Sequence, residues 1–155
     1  MSTTRAPSAG IHRRGFVTAR DPATCRVRVR WPELDGVVSN WLDVPQRKTR
    51  DDKAVWLPDV DEYVLCLMDD RHEDGHVVGA LYSGTDAVPT ADPDVDHVTD
   101  RDGAVREYNR RTHRYTIDLT ACGGTIEIRT GTSALIVTPS NIYLRADRID
   151  ENDDR

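Results

Sequence analysis

A few groups of side chains in this 155-residue sequence have types and spacings that could do chemistry. Asp92, Asp94 and Asp96 alternate like the opening of a calcium loop, whose first, third and fifth residues supply hard oxygen ligands. Such a loop then needs a Gly at its sixth position and a bidentate Glu at its twelfth. His97 and Gly103 stand there instead, so an acidic, hydrated segment is the better reading. His72 and His76 bracket Glu73 and Asp74 and offer imidazole and carboxylate ligands. They flank a turn rather than lying one helical turn apart, so nothing makes them converge on one ion. Arg26, Arg28 and Arg30 share one face of an alternating run. That face could follow a phosphate backbone if aromatic rings were interleaved to stack bases. Trp31, Trp41 and Trp56 instead neighbour apolar residues or proline, as core or interface residues do. No GxSxG, HExxH or phosphate-loop pattern occurs, and Gly123-Gly124 lacks the Lys-Ser/Thr that would follow. The sequence therefore predicts no catalytic residue, no metal site, no cofactor and no enzymatic activity.

The elements that carry these residues read as β-strands. Arg26-Val27-Arg28-Val29-Arg30-Trp31 alternates strictly, the period of a half-buried strand. Ser39 to Val44 follows the Asp35-Gly36 turn as a second short strand, Ala54 to Leu57 ends at Pro58, and Tyr63 to Met68 is the most apolar run in the chain. Asp69 to Gly75 then separates it from His76 to Tyr82, two apolar runs around a polar, Gly-terminated loop, which is a hairpin signal. About five short strands in some 70 residues, without helical periodicity, predict a small barrel of the OB type. Met1 to Arg14 is Ser/Thr/Arg-rich and unpatterned and reads as a flexible arm. Residues 85–103 hold two prolines and six aspartates and read as an acidic linker.

The last third contains a repeat. Ile117 and Leu119 are followed at nine-residue intervals by Ile126 and Ile128, Leu135 and Val137, and Leu144 and Ala146. Each couple is spaced i, i+2 and so marks one face of a short strand, with Gly, Pro, Ser or Asn turns between. Charged residues such as Asp118, Glu127, Arg129, Arg145 and Asp147 fall off this apolar register. Four strands with one thin apolar face cannot stand alone. Three copies wound round a shared axis would bury these eight residues as a trimer core and cover the strand edges.

Composition points the same way. Only 37% of residues are apolar, 31% are charged, and there is one Phe, which is thin material for a monomeric core. Residues 1–50 carry 10 Lys/Arg against 4 Asp/Glu, whereas residues 51–155 carry 11 against 23. The net charge of −6 argues against general nucleic-acid binding, while the basic first third could dock on an acidic protein surface. Cys25, Cys66 and Cys122 form no CxxC pair and read as reduced thiols of a protein made in a cytoplasm. No run approaches the roughly 18 apolar residues of a membrane span.

Several blocks together resemble the phage baseplate assembly protein V family. They are Gly15-Phe16-Val17, Asp21-Pro22, Arg26 to Pro32, Leu34-Asp35-Gly36 and Ser39 to Leu42, continued by Trp56 to Val64 and Asp74 to Ser83. Asp102 to Asn109 and Thr112 to Ile117 extend the likeness, so that it spans roughly residues 15–146. The resemblance implies an all-β chain with an N-terminal OB-fold barrel followed by an intertwined trimeric β-helix. On that reading the chain divides into a flexible arm (1–14), an OB domain (15–84), an acidic linker (85–103), a β-helix spike (104–150) and an acidic tail (151–155). It further implies the central spike of a contractile phage tail or tail-like particle, assembled in the host bacterial cytoplasm. The spike would be a homotrimer on the tail hub protein of the virion baseplate that pierces the bacterial envelope during injection. Short spikes of the family often end in an HxH motif that holds iron; this chain has none and ends in acidic residues. A metal-free tip, fraying or covered by a separate PAAR-type cap, is expected. The competing reading is an OB-fold oligonucleotide-binding module with an acidic tail.

Overall fold

A computed structural model describes residues 11–69, 71 and 74–149, and they are all-β, with no α-helix among them. The chain divides into two compact units between Ala87 and Val88.

In the first unit, β1 (Ile11–Asp21), β2 (Arg26–Trp31), β4 (Leu42–Asp43), β5 (Tyr63–Met68) and β6 (Gly75–Ala80) close a five-stranded barrel, with β3 (Val37–Val38) added beside β2. The order round the barrel is β1-β5-β6-β4-β2, and β2 returns to pair with β1. All contacts are antiparallel except β4 with β6. Closure rests on β1, whose first half pairs β5 and whose second half pairs β2, Phe16 facing both Tyr63 and Arg30. The strand bends there because Gly15 has no Cβ; one would lie 2.4 Å from the Arg30 carbonyl oxygen. A register shift between Val17 and Ala19 adds further curvature.

Alternation in sequence becomes inside and outside of the barrel. Val27, Val29 and Trp31 of β2 point in, as do Val64, Cys66 and Met68 of β5, and with Val17, Leu42, Val44 and Val77 they form one core. Ser39 is the buried polar side chain beside it: its hydroxyl accepts from the Val29 N–H at 3.0 Å and donates to the Asn40 carbonyl at 2.7 Å.

Three expectations are corrected at this level. Ala54 to Leu57 forms no strand, and β1 is the fifth strand of the barrel instead. Residues 11–14 belong to β1 rather than to an arm, because Ile11 to Arg14 pair with Met68 to Leu65; residues 1–10 lie outside the described residues. The acidic stretch 85–103 is not linker throughout: Val95–Thr99 is a strand, β7. Its acidic flank is charge-matched rather than merely hydrated, since Asp92 and Asp94 meet Arg110 and Arg111 after β8.

The second unit contains two antiparallel three-stranded sheets. One runs β7, β8 (Val105–Asn109), β9 (Arg114–Asp118); the other runs β10 (Ile126–Thr130), β11 (Ser133–Val137), β12 (Ile142–Arg145). The couples of the nine-residue repeat fall on β9 to β12, each lying on its strand or reaching just beyond it. Gly131 turns β10 into β11 at φ 56°, a conformation in which a Cβ is strained. Within one chain these are open meanders with free edges.

Candidate functional site

The β10-β11-β12 sheet carries most of the residues singled out by the repeat. Ile126 faces Val137, which faces Ile142, and Ile128 faces Leu135, which faces Leu144. Register partners share a face, so two apolar rows lie side by side on one surface of the sheet. Glu127, Arg129 and Arg145 lie on the opposite face, where Arg129 donates to Glu127. The remaining predicted residues sit at the margins. Ile117, one residue before the end of β9, lines a hollow with Leu119, Ile126 and Val137, while Ala146, just past β12, lines another with Ile128, Leu135 and Leu144. The structure thus places four of the eight residues round each of two hollows, the first of mixed lining with Asp118 and Thr120 and the second mainly apolar. Ile142, whose register also puts it on this face, was missed because it falls off the nine-residue spacing.

This surface is uncovered. Ile128 is 61% exposed, Ile142 71% and Leu144 60%, although all three stand on a single sheet face. Ala104 and Ala134 are the buried hydrophobic residues of the unit among those described, against ten in the barrel core. Covering each of the three large side chains is worth roughly 1–2 kcal/mol at their present exposure. Chemically the face can do one thing, which is to pack.

Of the groups with ligand chemistry, Asp92 and Asp94 are engaged by arginines. Asp94 accepts from Arg110 at 2.6 Å and from Arg111 at 2.7 Å, and these guanidinium contacts, Arg111 first, hold its carboxyl below the usual aspartate range. Asp92 accepts from Arg111 at 3.3 Å, and Asp96 faces Tyr108 across the strands. His97 contacts Glu107 at 2.9 Å and Thr99 at 2.7 Å. His76 is exposed on β6, and His72 lies outside the described residues, as does the acidic end from Asp150. The Cys66 thiol is buried in the barrel, which pushes it up to about 12.

The tryptophans, read from the sequence as core or interface residues, divide between buried and exposed positions. Trp31 is buried, but Trp41 and Trp56 are 40% and 42% exposed. The Arg28 guanidinium lies over the Trp41 ring at 5.3 Å and that of Arg30 over Phe16 at 5.6 Å, while Phe16 packs on Tyr63 at 5.0 Å. Sequence separation hid these partners: β1–β5 and β1–β2 pairing brings Phe16 to Tyr63 and Arg30, and β2–β4 pairing brings Trp41, next to β4, to Arg28.

Comparison with known proteins agrees with this architecture. A sequence model of the type VI secretion system/phage-baseplate injector OB domain matches residues 13–82, the segment that forms the barrel. The spike protein of Escherichia phage P2 is 29% identical over 106 residues, 68% of this chain and 49% of that protein. The chain spans about half the length of this curated relative. In its closed five-stranded order and in its sequence, the segment 13–82 is similar to the injector OB domains of phage baseplates.

Proposed function

We propose that the chain is the structural central spike of a contractile phage tail or tail-like baseplate, working as a homotrimer without enzymatic activity. The observation that carries this reading is the contrast between the two units. The barrel buries ten core residues by itself, whereas the second unit sets Ile128, Ile142 and Leu144 on one face at 60% exposure or more. A face of this kind calls for a partner, and the repeat that generates it is present identically in every copy. Three second units would wind into an intertwined β-helix, with Ile117, Leu119, Ile126, Ile128, Leu135, Val137, Leu144 and Ala146 towards its axis. The strand edges would then pair between chains, giving a stiff prism without free edges along its shaft.

The barrels would attach the spike to the tail hub protein, and the prism would concentrate the force of contraction on the bacterial envelope. The tip would either be finished by a separate PAAR-type cap or end in a fraying acidic tail. The likeness to a phage spike protein and to the injector OB domain supports the baseplate setting. Sedimentation velocity with light scattering on the intact chain tests the reading. A mass three times the 17.4 kDa of one chain is expected, and a monomer at micromolar concentration overturns it.

A further inference from the structure

The outer surface of the barrel carries two faces of opposite charge, each mixed with exposed apolar side chains. One is a transverse row in which Tyr63, Phe16, Arg30 and Val38 stand in register across β5, β1, β2 and β3. Arg28 on Trp41 lies beside it. Val38 is 45% and Trp41 40% exposed. Arg28 and Arg30 are held by rings, and among the described residues neither meets a carboxylate at ion-pair distance. Arg26 on the same strand differs, being paired with Asp43 at 2.8 Å.

The second face is a groove between the residues that lead into β5 and those that follow β6. Asp59, Asp61, Glu62 and Asp86 line it together with Val60 and Tyr82, which are 50% and 61% exposed. Arg20 pairs with Asp59, and the Glu62 carboxylate accepts from the Asp59 N–H at 2.7 Å, so the groove is a held shape with carboxylates in excess. Asp61 is exposed and keeps its place at φ 69°, a backbone conformation that fixes where the side chain leaves the chain.

We infer that these two faces are the two halves of one contact, in which the Arg28/Arg30–aromatic face of one barrel docks on the Asp59–Glu62/Asp86 groove of a second copy. The inference rests on the trimer reading above and adds to it a contact between barrels. Complementary charge and complementary composition carry it: two ring-held cations with exposed Trp41 and Val38 meet surplus carboxylates with exposed Tyr82 and Val60. Two different patches on one chain make a heterologous contact, the kind that generates closed rings. Arginine and aromatic side chains are the residues that anchor such interfaces. A polyanion such as nucleic acid fits less well. The guanidinium groups already occupy the Trp41 and Phe16 ring faces on which bases would stack, and Glu62 directly precedes Tyr63 at the end of the row.

The test compares full-length variants by sedimentation velocity at several salt concentrations. Arg28→Glu/Arg30→Glu is expected to weaken trimer assembly by about tenfold or more at low salt, and Asp61→Lys/Asp86→Lys to do likewise. Combining the four changes should restore assembly to within a few-fold of the parent, because reversed charges face one another again. Arg28→Gln/Arg30→Gln is a gentler version should the reversal disturb folding, which near-ultraviolet circular dichroism reports. A trimer whose dissociation ignores every one of these changes, or a quadruple variant no better than the doubles, overturns the barrel contact and leaves the trimer reading standing. A monomeric parent protein overturns both.

Discussion

At the scale of single residues, burial and pairing give sharp expectations. The Cys66 thiol, buried in the barrel and pushed up to about 12, is not a thiolate at neutral pH. Thiol reagents applied to the folded protein should label Cys25 and Cys122, which are half-buried, and leave Cys66 untouched until denaturant is added. Mass spectrometry after brief labelling reads the outcome. Asp94 titrates in the opposite sense. Arg111 and Arg110 stabilise its charged form, so its folded midpoint lies below that of free aspartate. The pairing therefore contributes above the unfolded value and is lost as pH falls through the folded one. Carbon-detected NMR titration should show the depressed midpoint, and Arg111→Ala should move it back up. Gly15→Ala tests the bend of β1, since a Cβ would lie 2.4 Å from the Arg30 oxygen and 2.8 Å from the Trp31 ring. Overpacking of this kind costs about 1–3 kcal/mol, and the melting temperature of the barrel should fall accordingly.

At the scale of elements, β10 distinguishes an assembled from an isolated sheet. Ile128 stands on the apolar face and Glu127 on the other. In a lone chain Ile128 is 61% exposed, so Ile128→Asp would be nearly neutral there. In a trimer it would bring three carboxylates together in a dry layer, at several kcal/mol each. The variant should dissociate or melt far below the parent, while Glu127→Lys, which loses the exposed contact with Arg129, should change little. Equal effects of the two changes in thermal melts would mean that this face is not the one that packs.

At the scale of the molecule, the two units make separable contributions. A fragment ending at Ala87 retains the complete ten-residue core and should fold cooperatively. It should lose most of the trimer stability, which a fragment from Val88 onwards should keep. Analytical ultracentrifugation of both fragments reads this directly. A stable trimer from the first and a monomer from the second would reverse the assignment of the assembly-driving unit.

The sequence by itself determined the faces of β2 and β5, but it predicted a strand at Ala54 to Leu57 that the structure lacks and none at β1. Strict alternation in Arg26 to Trp31 and apolar content in Tyr63 to Met68 specify which side chains enter the barrel, because a one-residue slip would turn each of them to solvent. The nine-residue spacing likewise specified that Ile126, Ile128, Leu135 and Val137 share a surface. It misjudged Ile11 to Arg14, which are held by pairing with the distant β5, and Val95 to Thr99, which are held in a hairpin with β8, because neither run alternates by itself. Only the tertiary structure decided the barrel's closure, since β1 pairs with β2 across 5–14 residues of chain but with β5 across 47–57. The same closure brings Phe16 to Tyr63 and Arg30, and so builds an outer face whose members are scattered in sequence. Local patterning fixes which side of a strand is apolar. Which strands become neighbours depends on contacts that no local pattern encodes.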